Sequence, residues 1–83
     1  MIKVTILTTK GCSHCMQAKE ILSKLKPKYD LNIEDIDVTT DRGQELAKKH
    51  KIMTSPGILI NDEFFSMGGV TEGQLRSKFD ELA

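Results

Sequence analysis

Apolar and polar positions change period several times along the chain, and each change marks an element boundary. Ile2-Lys3-Val4-Thr5-Ile6-Leu7-Thr8 is β-branched and alternating, the pattern of a strand. Thr9-Lys10-Gly11 follows as a loop. From Ser13 the period becomes helical, with Cys15, Ala18, Leu22 and Leu25 on one stripe and Ile21 beside it. Pro27 is expected to close this helix near Lys26, because a residue before proline is biased away from helical angles. Ile33 to Val38 reads as a second strand whose alternation slips at Glu34-Asp35. Thr39-Thr40-Asp41 leads into a second helix over Arg42 to His50, where Asp41 and Gln44 have the spacing of an acidic capping box. Gly57 to Ile60 and Phe64 to Met67 flank a polar Asn61-Asp62-Glu63 turn, which predicts a hairpin. After Gly68-Gly69, Thr71 and Gln74 carry a second capping box. The last helix then runs to about Leu82, with Leu75, Phe79 and Leu82 on its buried face.

The order βαβαββα restricts the topology. A right-handed crossover makes the first two strands parallel, and the hairpin adds two antiparallel ones. The expected fold is α/β, a four-stranded mixed sheet with helices on both faces. The 83 residues leave room for a single domain, 1–83, whose core is just large enough to fold unaided.

Charge removes several function classes. Lysine plus arginine and aspartate plus glutamate both number 12, so neither a nucleic-acid footprint nor electrostatic membrane attachment is expected. The first residues lack the long apolar run and small-residue cleavage site of an export signal, and no stretch approaches membrane-spanning length. A cytoplasmic location and a monomer are expected. In a reducing compartment a close cysteine pair signals redox or metal chemistry more than a structural staple.

Both cysteines of the chain lie in Cys12-Ser13-His14-Cys15, where the first strand hands over to the first helix. The first helical turn carries unpaired N–H groups and the positive end of the dipole, which favour a thiolate over a thiol. Reactivity follows the thiolate fraction, only a few per cent at neutral pH for a thiol of pKa about 8.5. Cys15 shares the apolar stripe and faces inward; Cys12 lies about one turn earlier, at the exposed helix end. An i, i+3 pair there brings the sulfurs within bridging reach. Cys12 is thus the expected nucleophile and Cys15 the resolving thiol. His14 is expected to add positive potential and favour the Cys12 thiolate further. The alternative is a metal-binding module or an iron–sulfur cluster carrier built on the same cysteines. Structural zinc sites usually add a second close ligand pair, which this chain lacks, so no metal ligands are assigned.

Thr54-Ser55-Pro56, directly before the third strand, resembles the cis-proline loop of the thioredoxin superfamily. With the element order, the Cys-x-x-Cys and Gly68-Gly69, the whole chain resembles a small glutaredoxin-like member of that superfamily. The resemblance implies a thioredoxin-like, glutaredoxin-type fold and thiol–disulfide oxidoreductase activity. It implies a cis peptide at Pro56 and a substrate chain pairing with the Ser55 backbone. It also implies a substrate or glutathione surface made by Lys10, Ser13, Thr54, Ser55, Pro56, Gly68, Gly69 and Thr71. No bound cofactor is expected, and glutathione is the candidate co-substrate. The implied partners are disulfide-containing proteins, with glutathione or a flavin-dependent thioredoxin-type reductase as electron donor. The departures are local. Ser13-His14 stands where glutaredoxins usually have Pro-Tyr, and Ser55 where Val is common. Thr71-Glu72 replaces a frequent Asp-Asp, and Lys10 is one residue closer to Cys12 than usual. The Trp-Cys-Gly-Pro-Cys of thioredoxins is absent, as is any tryptophan. Among the remaining polar residues, His50 reads as structural, and Asp35 and Asp37 read as a polar strand edge.

Overall fold

The computed structural model describes residues 2–83 and contains seven elements. In chain order these are β1 (Ile2–Thr8), α1 (Ser13–Tyr29), β2 (Leu31–Asp37), α2 (Asp41–His50), β3 (Gly57–Ile60), β4 (Glu63–Met67) and α3 (Glu72–Leu82). The strands form one four-stranded sheet in the order β2-β1-β3-β4. β1 pairs parallel with β2 and antiparallel with β3, and β3 pairs antiparallel with β4. The mixed α/β architecture expected from the element order is the one observed.

Two apolar clusters cover the two faces. On one side Val4 and Ile6 of β1 and Ile58 and Ile60 of β3 pack with Ala18 and Leu22 of α1 and Leu75 and Phe79 of α3. On the other, Leu7, Ile36, Ile52 and Leu59 pack with the partly buried Leu46 and Ala47 of α2. β1 and β3 are the inner strands and are buried on both faces, which is why neither shows a clean polar stripe. Helix α2 is largely polar, and its buried residue is Gly43. A Cβ at Gly43 would lie 2.2 Å from the Asp37 carbonyl oxygen, so only glycine lets α2 approach the end of β2 this closely.

Five expectations are corrected, the first being the second strand, which spans Leu31–Asp37 where Ile33 to Val38 was expected. α1 does not stop before Pro27 but runs to Tyr29. Placed in the last turn, Pro27 removes a single backbone bond, to the Ser23 carbonyl. The left-handed Asp30 donates its N–H to the Lys26 carbonyl, and Tyr29 is held by the Phe79 ring, 5.4 Å away, and by Asp80 Oδ1 at 2.6 Å. The N-cap of α2 is Thr40, not Asp41. The Thr40 hydroxyl accepts from the Gly43 N–H and donates to the Asp37 carbonyl, while Gln44 Nε2 reaches Val38 O instead of closing a box. The hairpin turn is the pair Asn61-Asp62, both at positive φ, so Glu63 already belongs to β4. Leu82, expected inside, is the last residue of α3 and is 39% exposed. The capping box of α3 is present as expected, from Thr71 to Gln74.

Parallel pairing of β1 and β2 runs from Ile2↔Leu31 to Thr8↔Asp37. The carboxyl ends of both strands therefore finish together, beside the start of α1. Ligand crevices in open α/β sheets lie at such carboxyl ends.

Candidate active site

Cys12 is the N-cap of α1, with extended backbone angles (φ −91°, ψ 109°) that turn its side chain back over the first turn. Its sulfur takes the place that a serine or aspartate oxygen fills in an ordinary cap. The Cys15 N–H donates to Cys12 Sγ at 3.1 Å, and the Met16 N–H donates to the Cys12 carbonyl at 3.2 Å. Cys12 is half-buried and Cys15 buried, the asymmetry that the apolar stripe predicted.

The two thiols are driven apart in acidity. Cys12 lies below the ordinary thiol range, first because the Cys15 side chain hydrogen-bonds to its sulfur. Partial burial opposes this, while the Cys15 N–H and the Ser55 and Thr9 hydroxyls reinforce it. Burial pushes the Cys15 thiol up, and its hydrogen bond to Cys12 holds the proton further. The result is one thiol that ionises readily and one that keeps its proton.

The Thr54-Ser55-Pro56 loop lies directly against Cys12. The Ser55–Pro56 peptide is cis. Ser55 Oγ is 3.7 Å from Cys12 Sγ, and the Ser55 carbonyl is 4.0 Å from the same sulfur. Pro56 is buried, and its carbonyl accepts from the Gly68 N–H at 3.0 Å. Gly68 adopts φ +85°, and a Cβ there would meet Thr54 Oγ1 at 3.1 Å. Thr54, Ser55 and Gly68 thus form one surface beside Cys12, with the buried Pro56 joining them. Gly69 adjoins it, its carbonyl bound by the Ser66 hydroxyl at 2.9 Å.

Other sequence-selected residues fall elsewhere. Lys10 is exposed and lines a cleft of about 400 Å³ that Cys12 and Cys15 also line. Ser13 and His14 are exposed on the first turn of α1. The Thr71 hydroxyl accepts from the Gln74 N–H at 3.2 Å, so it is engaged in capping α3. His50 sits in the last turn of α2, as read from the sequence. Met16 and Met53 are exposed, at 64% and 87%.

Four residues at the site had not been singled out for it. Thr9 Oγ1 is 3.1 Å from Ser55 Oγ. Lys19 and Asp35 form an ion pair at 2.6 Å on the wall of the cleft, and Asp35 also accepts from the Thr8 hydroxyl at 2.7 Å. Asp37 lines the same cleft, held below the usual carboxylate range by the hydroxyl and N–H of Thr39. Lys19 was legible, since it stands at i+4 from Cys15. The aspartates depend on the β1–β2 register, which the sequence pattern leaves open. Among the described residues, no three His, Cys, Asp or Glu side chains gather where they could hold a metal ion.

Comparison with known proteins agrees with this fold. The sequence model of the Glutaredoxin-like domain matches residues 3–80. A protein from Archaeoglobus fulgidus described as a probable thioredoxin is 29% identical over 82 residues, covering 99% of this chain and 90% of that one. The solution structure of an uncharacterised thioredoxin-like protein from Clostridium perfringens superposes on the whole chain with a TM-score of 0.82, covering 71% of that protein at 16% identity. Oxidised thioredoxin O2 from Arabidopsis thaliana gives a TM-score of 0.77 over 99% of this chain and 75% of that one, at 19% identity. At these identities the structural likeness is one of fold. The chain belongs to the glutaredoxin-like domain family, within the thioredoxin superfamily of small oxidoreductases.

Proposed function

We propose that this protein is a dithiol–disulfide oxidoreductase in which Cys12 attacks and Cys15 resolves. The observation that carries this reading is the N-cap position of Cys12, whose accessible sulfur receives the Cys15 N–H while Cys15 itself is buried. The Cys12 thiolate attacks one sulfur of a substrate disulfide, forming a mixed disulfide and releasing the other sulfur as a thiolate. Cys15 then loses its proton and attacks Cys12 Sγ, so that the Cys12–Cys15 bond forms and the second substrate thiolate leaves. Two electrons pass from the dithiol to the substrate, and the two protons given up by the pair end on the released thiols. The reverse sequence oxidises a substrate dithiol.

Substrates are disulfide-bearing proteins and small disulfides. Exposed Met16, which lines the cleft with both cysteines, and exposed Met53, which lines a neighbouring one with Thr54 and Ser55, offer adaptable apolar contact, and the Ser55 carbonyl beside Cys12 is an acceptor for a substrate backbone N–H. Lys10 in the cleft and Thr54 against Gly68 support glutathione as a small co-substrate, with a flavin-dependent reductase as the alternative donor. The protein acts as a cytoplasmic monomer.

The test uses the two single variants with a generic protein disulfide. Cys15→Ser accumulates a mixed disulfide at Cys12 that Cys12→Ser does not form. A mixed disulfide on Cys15 in the Cys12→Ser protein, formed as fast, would overturn the division of labour. Turnover with glutathione and with a reductase, measured side by side, identifies the donor.

A further inference from the structure

The loop residue Ser55 has a side-chain role that pairing with a substrate backbone does not use. Its hydroxyl lies between two polar atoms, Thr9 Oγ1 at 3.1 Å and Cys12 Sγ at 3.7 Å. A hydroxyl has one proton to give and two lone pairs to accept with. When Cys12 is a thiolate its sulfur can only accept, so Ser55 O–H must point at the sulfur and Thr9 O–H must point at Ser55. The contact with Thr9 is then directional, although either oxygen taken alone could donate. When Cys12 is a thiol, its S–H faces the Ser55 carbonyl at 4.0 Å, and the Ser55 hydroxyl is free to turn back towards Thr9. The same three side chains thus have one arrangement for each protonation state of the nucleophile.

We propose that Thr9 and Ser55 form a two-hydroxyl relay ending on Cys12 Sγ, which holds the nucleophile as a thiolate. Ser55 is then a catalytic residue through its side chain, and Thr9 is the positioning residue behind it. The proposal rests on Cys12 being the attacking sulfur. A donated hydrogen bond polarised by a second one is stronger than either alone, and one to a charged acceptor is stronger than one to a neutral acceptor. The pair is well placed to hold its geometry. Thr9 directly follows β1, and Pro56 after Ser55 is buried and bonded to Gly68. The position of the Cys12 thiol below its ordinary pKa range is consistent with this, since both hydroxyls contribute to it. The titratable groups around Cys12 are Cys15 and Lys19 of α1, Lys10 of the preceding loop, Asp35 and Asp37 of β2, and His14 on the first turn. Valine at position 55 or 9 would change none of their charges. An apolar residue at position 55 would remove the hydroxyl contact and leave the sulfur the Cys15 N–H and the backbone carbonyl of residue 55.

The experiment titrates the Cys12 thiolate by its ultraviolet absorbance and measures the reduction potential of the dithiol pair. The proteins are wild type, Ser55→Val, Ser55→Thr, Thr9→Val, Thr9→Ser and the Thr9→Val/Ser55→Val double variant. Ser55→Val is expected to lower the thiolate fraction about three- to tenfold at a pH below the midpoint, a loss typical of one ordinary hydrogen bond and fitting a contact as long as 3.7 Å. Its potential becomes more reducing, because the reduced form loses stabilisation. Ser55→Thr restores both readouts. Thr9→Val moves both in the same direction by less, Thr9→Ser does not, and Thr9→Val adds nothing once Ser55 is valine. An unchanged thiolate fraction in Ser55→Val would overturn the proposal. So would failure of Ser55→Thr to restore it, or an undiminished Thr9→Val effect in the double variant. If Ser55→Val does not fold, Ser55→Ala carries the same expectation. A wild-type protein without a reversible dithiol–disulfide couple would instead defeat the functional reading itself.

Discussion

The backbone N–H of Cys15 points at the sulfur of Cys12 from 3.1 Å, so the buried cysteine stabilises the accessible one as a thiolate. The contact follows from the spacing: an N-cap acceptor reaches the N–H two or three positions on, and here position N3 is the second cysteine. Oxidation turns the Cys12 sulfur into a disulfide sulfur, a poorer acceptor. The reduced state is the one this contact favours.

Alkylation should separate the two thiols by pH. Cys12, held below the ordinary thiol range by the hydrogen bonds on its sulfur, should react at a pH where free cysteine is still largely protonated. Cys15, raised by burial, should stay unreactive until higher pH or unfolding. Mass-resolved alkylation across a pH series checks this, and equal rates for the two would refute it.

The reduction potential should fall with pH along two slopes. Below the Cys12 midpoint two protons accompany two electrons, about 60 mV per pH unit. Between the Cys12 and Cys15 midpoints one proton does, about 30 mV per pH unit. The break marks the folded Cys12 pKa, which lies below the ordinary value. The sign for stability agrees. A depressed acidic pKa stabilises the reduced fold above the unfolded-state value, and that contribution is lost as pH falls through the folded one. A single slope up to the ordinary thiol range would contradict the geometry.

Replacing exposed His14 with an apolar residue should move the potential in the reducing direction, since a polar side chain able to add positive potential at the first turn of α1 is removed. An unchanged potential would make His14 a surface residue without influence on the sulfur.

Thr40→Ala should destabilise the protein by about 1 kcal/mol, the usual cost of losing an N-cap. Asp41→Ala should cost only a few tenths of a kcal/mol, from the charge in the first turn. Denaturant unfolding of both variants decides between the observed cap and the one the sequence suggested.

Gly43→Ala sets two effects against each other. Alanine gains about 1 kcal/mol of helix propensity over glycine. Its Cβ would stand 2.2 Å from Asp37 O, a backbone atom anchored by the N–H and hydroxyl of Thr40. Overpacking of this kind costs about 1–3 kcal/mol, so the net change should be destabilising. A stabilised variant would show that α2 is free to move away from β2.

Most of the architecture was legible because local signals agreed with one another. The alternation of β1, the stripe through Cys15, Ala18, Leu22 and Leu25, and the Thr71–Gln74 box each survive in the structure. Errors arose where a local rule met a tertiary contact or a competing local one. Pro27 is carried inside α1 because Tyr29 packs on Phe79. Thr40 displaced Asp41 as cap because the turn from Asp37 presents the threonine hydroxyl to Gly43.

Sequence alone identified the two cysteines, their i, i+3 spacing at a helix start and the inward face of Cys15, since all three depend on short-range periodicity. It also found the Thr54-Ser55-Pro56 loop as a motif. Only the folded chain placed that loop's hydroxyl on Cys12, 43 positions away, with Thr9 behind it. The Lys19–Asp35 pair was likewise set by the parallel register of β1 and β2. Periodicity says which face of an element is buried. Which polar atoms meet at the ends of four elements depends on the registers and crossings between them, and no local pattern in the chain encodes those.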